Sequence, residues 1–200
     1  SARIRVLSQI LNEQSFAYRS SRGRFYEKIE IPLLGSHQIP NAVTALEVLE
    51  IIKNYYCISE FQTEEGFRNT IWRGRLEKLS DHPLIFCDGA HNPDGAARLA
   101  EFLENNFTNR RIIYIIGVLA DKEYEKMIET TAKFANRIYT VAPDSERALS
   151  SRELAFAVRK YHTDVQERSR LASCLEEVKK EAGEEDVIVI FGTLSFQKEL

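Results

Sequence analysis

The sequence predicts a doubly wound α/β domain with a mainly parallel sheet over residues 75–200, preceded by a smaller unit over residues 1–74. Two observations carry this expectation. Strand-like apolar runs alternate with amphipathic helical patterns through the second part, the order of an α/β sheet with right-handed crossovers. Several of those runs are apolar throughout instead of at every other position, as parallel strands covered on both faces require.

In the first part, "SFAYR" and "RFYEKIEI" read as two strands, and the four-residue "SSRG" between them, with Gly23, fits a hairpin. "NAVTALEVLEIIKNYY" reads as a helix with Ala42, Ala45, Leu46, Leu49 and Ile52 on one face and Pro40 in its first turn. A second short helix follows, capped by Ser59 or Thr63 and ending near "WRGR". A hairpin and two helices are a thin basis for a core. The opening "SARIRVLSQI" reads as the middle of a fold, so this part is expected to lean on chain outside the sequence. In the second part, strands are expected at "PLIFCD", "RIIYIIG", "RIYTVA" and "DVIVIFG", with a weaker one at "TDVQE". Helices are expected near 94–105, 122–135, 151–161 and 168–182.

Composition removes several function classes. A net charge of −3 gives no broad electrostatic reason to bind nucleic acid, and the local basic cluster "YRSSRGR" reads as a solvated hairpin tip. Cys57, Cys87 and Cys174 are odd in number and widely spaced, which points to reduced thiols in a cytoplasm, not a disulfide framework or zinc site. No run approaches the roughly 20 apolar residues needed to cross a bilayer, and no signal-peptide core opens the chain. A cytoplasmic protein with no membrane or nucleic-acid partner is expected.

The chemistry concentrates at "IFCDGAHNP". Ligands of open α/β sheets bind beyond the carboxyl ends of the strands, where Asp88 is expected. Asn92 suits a helix cap and Pro93 the first helical position, so strand turns into helix across Gly89 and Ala90 and leaves His91 at the rim. A carboxylate there can accept the two hydroxyls of a ribose, and a histidine can donate to an anion; a cap and a turn would use the same residue types. Other strand ends carry Asp121 and Lys122 ("GVLADK"), Arg147 ("APDSERA") and Gly192, Thr193 and Ser195 ("FGTLS"). In "GSHQIPN", His37 and Asn41 are four apart and share a face on a helical path; the Asn amide matches the edge of adenine, and helix capping explains the pair nearly as well. In "GRLE", Arg75 is either an ordinary surface residue or a charged fork able to reach a triphosphate when two domains close.

Taken in order, "GSHQIPNAVTALEVL", "WRGRLE" and "DGAHNPDGA", supported by "GVLADKEYEKM", "SERALS" and "FGTLSF", resemble folylpolyglutamate synthase/dihydrofolate synthase of the Mur ligase superfamily. The resemblance implies a Rossmann-like C-terminal domain preceded by the end of a central ATPase domain. It also implies ATP-dependent joining of L-glutamate to a folate, or to dihydropteroate, through an acyl phosphate. It assigns Asn41 to adenine with His37 beside it, Arg75 to the phosphates and Asp88 to the ribose or nucleotide. His91 falls to the glutamate or phosphate, and Lys122 and Thr193 to the glutamate pocket. The family's phosphate loop and its Mg2+ ligands match nothing here and are expected upstream of Ser1, in an N-terminal domain of the same protein, so the chain alone is expected to be inactive. Thr193 stands where many members have serine, and Ser145 where many have proline. A peptidoglycan Mur ligase and a non-enzymatic nucleotide-binding module are the alternative readings.

Overall fold

The computed structural model describes residues 3–200, and the chain divides after Trp72 into two compact units. In the first, β1 (Ile4–Gln9), β2 (Gln14–Arg19) and β3 (Phe25–Ile31) form an antiparallel sheet in the order β1-β2-β3. The β2–β3 hairpin closes at residues 20–24, where Gly23 takes a φ of +87° that a side chain would disfavour. Two helices follow, α1 (Gln38–Ile52) and α2 (Glu60–Arg68). Phe16, Tyr18, Tyr26, Ile29 and Ile31 of the sheet pack with Ile39, Ala42, Leu46 and Phe67 of the helices.

Several expectations for this unit are corrected. β1 was not foreseen as a strand: it is an edge strand with four of its six residues exposed, so burial imposes no alternation on its sequence. Helix α1 starts three residues before Asn41, and its buried face runs through Ile39, Ala42, Leu46 and Glu50, with Ala45 exposed. It stops at Ile52, leaving Tyr55 and Tyr56 in solvent. Ser59, not Thr63, caps α2 through a capping box with Gln62, and that helix ends at Arg68, short of the tryptophan.

The second unit runs β4 (Glu77–Asp81), β5 (Leu84–Asp88), α3 (Pro93–Asn106), β6 (Ile112–Ile116), α4 (Tyr124–Thr131), β7 (Arg137–Thr140), α5 (Ser151–Val158), β8 (Val165–Glu167), α6 (Leu171–Glu181) and β9 (Val187–Phe191). Its six strands lie in the order β4-β5-β9-β6-β7-β8, parallel except for β4. This is the doubly wound α/β sheet expected from the alternation. Every residue of β5, β6 and β9 is buried, which is why these runs are apolar up to Asp88 at the carboxyl end of β5. Leu171, Cys174, Leu175 and Val178 of α6 cover one face over Ile113, Ile115, Ile188 and Ile190. On the other, Phe102 of α3 and the following Phe107 pack against Phe86, and Tyr114 donates to the Thr131 carbonyl at the end of α4. Each such apolar side chain contributes about 1.5–3 kcal/mol by burial. The unforeseen β4 is polar ("EKLSD") and antiparallel at the edge, so it carries no apolar signal.

An ionic knot closes the amino end of this sheet. Glu181 accepts from Arg111 at 2.6 Å, Arg137 at 2.9 Å and the Tyr139 hydroxyl at 2.6 Å. Burial alone would raise its carboxyl; the hydrogen bonds from Tyr139 and Arg111 and the Arg137 charge outweigh that and hold it below its ordinary 4.5. A carboxyl lowered on folding stabilises above its unfolded pKa and loses that contribution as pH falls through the folded value. Glu181→Gln is therefore expected to cost about 1–3 kcal/mol at neutral pH. The variant should also lose less stability than the parent on going below pH 4.5, as denaturant titrations at two pH values would show.

Candidate functional site

Register fixes which loops share an edge. Asp88 of β5 and Ile116 of β6 both pair with Phe191 of β9, and Ile116 pairs with Thr140 of β7. These four strands therefore end together. The loops holding His91, Asp121 with Lys122, Arg147, and Thr193 all leave from that carboxyl edge, as expected for Asp88, Asp121 and Thr193.

Asp88 is 8% exposed and ties two backbone segments together. Its Oδ2 accepts from the Leu76 N–H at 2.8 Å and its Oδ1 from the Ala90 N–H at 2.7 Å. The Gly89 N–H donates to the Gly74 carbonyl at 2.7 Å, and the Gly74 N–H donates to Glu77 Oε2 at 2.8 Å. Leu76 has a φ of +49°, a left-handed conformation costly for leucine, and its side chain is buried. The clasp thus brings Arg75 and His91, the chain neighbours of its two donors, near one carboxylate. Burial pushes the Asp88 carboxyl above its ordinary value, outweighing the two N–H bonds and the nearby Arg75 and His91 charges that lower it. Because both oxygens face N–H donors, the carboxylate is the form that fits. One lone pair of each oxygen is engaged by these N–H groups.

His91 is also fixed. Its Nδ1 lies 2.7 Å from the Gly89 carbonyl, which can only accept, so Nδ1 carries a proton and Nε2 is the outward nitrogen. Neutral His91 therefore offers an acceptor, and only its imidazolium donates to an anion through Nε2. Asn92 caps α3 by accepting from the Gly95 N–H at 2.8 Å, with Pro93 at the first helical position.

The remaining strand-end residues are more structural. Asp121 and Arg147 form an exposed ion pair linking the loops after β6 and β7, and the guanidinium holds the Asp121 carboxyl below its ordinary value. Lys122, half-buried beside Asp121, forms no ion pair among the described residues. Thr193 is buried and caps a short 3₁₀ turn over Leu194–Lys198 by accepting from the Ser195 N–H at 3.2 Å; its hydroxyl also meets that of Ser195 at 2.9 Å. A role toward glutamate would have to share the hydroxyl with that cap.

In the first unit, Asn41 N–H donates to the His37 carbonyl at 3.4 Å, so the two residues share a helical face as their spacing implied. Neither caps α1 through its side chain: His37 occupies the cap position without a capping hydrogen bond, and Asn41 lies inside the helix. Asn41 Nδ2 instead donates to Gln38 Oε1 at 3.1 Å. Sequence reasoning missed Gln38, Leu76 and Glu77. "GSHQIPN" and "GRLE" contain all three, but only the folded backbone gives them partners.

No helix of the described residues is long and apolar enough to cross a membrane. The described residues also hold no cluster of three His, Cys, Asp or Glu side chains able to bind a metal ion.

Residues 74–194 match the model of the Mur ligase glutamate ligase domain. The chain is 29% identical over 188 residues to the dihydrofolate synthase/folylpolyglutamate synthase of Bacillus subtilis, covering 92% of this chain and 42% of that protein. It is 36% identical over 139 residues to the folylpolyglutamate synthase of Lacticaseibacillus casei, covering 68% of this chain and 32% of that protein. The structure of Mycobacterium tuberculosis folylpolyglutamate synthase complexed with ADP and AMPPCP matches with a TM-score of 0.80 at 26% identity, over 97% of this chain and 46% of that one. The Thermotoga maritima enzyme matches with the same score at 28% identity, over 98% and 45%. The chain thus spans less than half the length of these relatives. With its strand order, its clasped "DGAHNP" turn and a family match over residues 74–194, the chain belongs to the Mur ligase family through its glutamate ligase domain.

Proposed function

We propose that the chain is the nucleotide-contacting, C-terminal portion of an ATP-dependent ligase that joins L-glutamate to a folate, as folylpolyglutamate synthase or dihydrofolate synthase. The observation that carries this reading is the Asp88 clasp, which holds Arg75 and His91 at the carboxyl edge of a glutamate ligase domain. The names of the bacterial relatives support the folate substrate, and the ADP and AMPPCP of the mycobacterial neighbour support the nucleotide.

On this reading residues 1–74 are the end of a central ATP-binding domain and residues 75–200 the C-terminal α/β domain. ATP transfers its terminal phosphoryl group to a folate carboxylate, the glutamate amine attacks the acyl phosphate, and phosphate leaves. Asn41, with His37 beside it, contacts adenine. Arg75 contacts the phosphates, and Asp88 takes a ribose hydroxyl on its remaining lone pairs while positioning its neighbours. His91 meets phosphate or glutamate, whose carboxylates also draw Lys122 and Thr193. Mg2+ belongs to the same expectation, with its ligands outside this sequence, and no step here runs through it.

Arg75 serves the transition state on this reading, where charge on the transferring group is greatest. In a complete ligase containing this chain, Arg75→Ala is expected to lower kcat by about thirty- to a thousandfold, equivalent to about 2–4 kcal/mol, with little change in the KM for ATP. Steady-state kinetics with ATP, glutamate and either dihydropteroate or tetrahydrofolate test both the reading and the substrate. Unchanged constants would return Arg75 to an ordinary surface role. The purified 200-residue chain should not ligate glutamate, because positioning and charge neutralisation supply most phosphoryl-transfer catalysis and no phosphate-loop motif is present.

A further inference from the structure

We propose that Gln38 is a positioning residue that fixes the direction of the Asn41 amide and thereby makes this surface select adenine over guanine. The inference rests on the reading of Asn41 as an adenine contact and adds the residue that gives that contact its selectivity.

Gln38 is 2% exposed, yet it is flanked by two side chains that reach the surface, half-buried His37 and exposed Asn41. Its Nε2 lies 3.2 Å from His37 Nε2, and its Oε1 accepts from Asn41 Nδ2 at 3.1 Å. With His37 protonated at Nδ1, its Nε2 accepts from Gln38 Nε2, Gln38 Oε1 is left to accept from Asn41, and the row runs in one direction. Reversing one amide alone would set donor against donor or acceptor against acceptor, which a buried site penalises. The row is itself anchored. Gln14, also 2% exposed, donates through Nε2 to the Leu33 carbonyl at 2.6 Å and the Gly35 carbonyl at 2.9 Å. The Gly35 carbonyl also accepts the Gln38 backbone N–H at 3.0 Å, so the turn that delivers His37 and Gln38 is pinned from β2.

With one Nδ2 proton committed to Gln38, Asn41 presents its Oδ1 as acceptor and a single remaining N–H as donor, in a fixed order. Adenine offers a donor at its 6-amino group and an acceptor at ring position 1 or 7, which complements that order. Guanine offers an acceptor at position 6, with a donor at position 1 and an acceptor at position 7, so an Oδ1 facing position 6 meets another acceptor. An Asn free to flip would accept either arrangement. The selectivity thus comes from the residue behind it.

The test uses the 200-residue chain with ATP and GTP as probes, followed by NMR titration. The unmodified chain should bind ATP more tightly than GTP, by about tenfold or more, as expected where an unpaired polar group is the penalty. Asn41→Ala should weaken ATP binding and remove the preference. Gln38→Met, similar in length without the acceptor, should leave the fold intact and bring the ATP-to-GTP ratio close to one. Gln38→Glu, which keeps an acceptor for Asn41, should retain the preference. Should Gln38→Met not fold, the Asn41 side-chain amide in the unmodified chain decides: one protected Nδ2 proton supports the lock, and two freely exchanging protons overturn it. An ATP preference lost in Asn41→Ala but kept in Gln38→Met overturns the Gln38 inference alone. No preference in the unmodified chain, or one indifferent to Asn41→Ala, overturns the adenine reading and the inference with it.

Discussion

Asp88→Ala is expected to cost the second unit about 3–5 kcal/mol of folding stability, because it strands two buried donors at about 1–3 kcal/mol each. The donors are the Leu76 and Ala90 N–H groups, both of which meet this carboxylate. Leu76 would keep its costly φ of +49° with nothing holding it. Asp88→Asn retains one acceptor oxygen but turns an NH2 group toward the other N–H, so about half the loss is expected. Denaturant unfolding with unchanged m-value reads both. In a complete ligase, Asp88→Ala should also lower kcat, since Arg75 and His91 both lose their reference point; a rise in the KM for ATP alone would mean that Asp88 acts only as a ribose contact. A stability loss below about 1 kcal/mol would show that the clasp does not hold Leu76.

Gly192→Ala is expected to be comparably damaging, at about 3–5 kcal/mol, by a different mechanism. Gly192 follows the last residue of β9 with a φ of +113°, where a side chain brings strain of about 1–3 kcal/mol. A Cβ there would also lie 2.3 Å from the Gly117 carbonyl oxygen, a backbone atom of the neighbouring strand end that cannot swing away. Relieving that clash means parting the ends of β9 and β6, at a cost of a further 1–3 kcal/mol or so. Thermal and denaturant unfolding of the variant would measure the loss, and near-parent stability would mean that the two strand ends are not in this close contact. The same displacement would shift Thr193 and its cap over the 3₁₀ turn.

What was legible in the sequence follows from burial. β5, β6 and β9 declare themselves because a strand covered on both faces is apolar along its length, with Asp88 only at the end of β5. β1 and β4 do not, because edge strands in contact with solvent keep polar side chains and are held by backbone pairing. At the site, Asn92 and Pro93 were readable because capping is local, with its partner three residues away. The Asp88 clasp was not, since the Leu76 N–H it holds lies 12 residues upstream and a backbone donor leaves no trace in residue identity. The position of Asp88 was therefore visible while its engagement by two backbone N–H groups was not. Thr193 shows the converse: a hydroxyl read for ligand chemistry is used by its own turn. Gln38 sat unmarked between His37 and Asn41 because only the helix turns its side chain inward between theirs.

Backbone amide NMR of the chain during an ATP titration tests the nucleotide assignment most directly. The amides of Leu76, Ala90 and His91 in the second unit should shift along the binding curve, while those around Arg111, Arg137 and Glu181 at the amino end of the sheet stay still. Shifts centred on the amino end, or none at the Asp88 clasp, would contradict the assignment of this carboxyl edge to ATP.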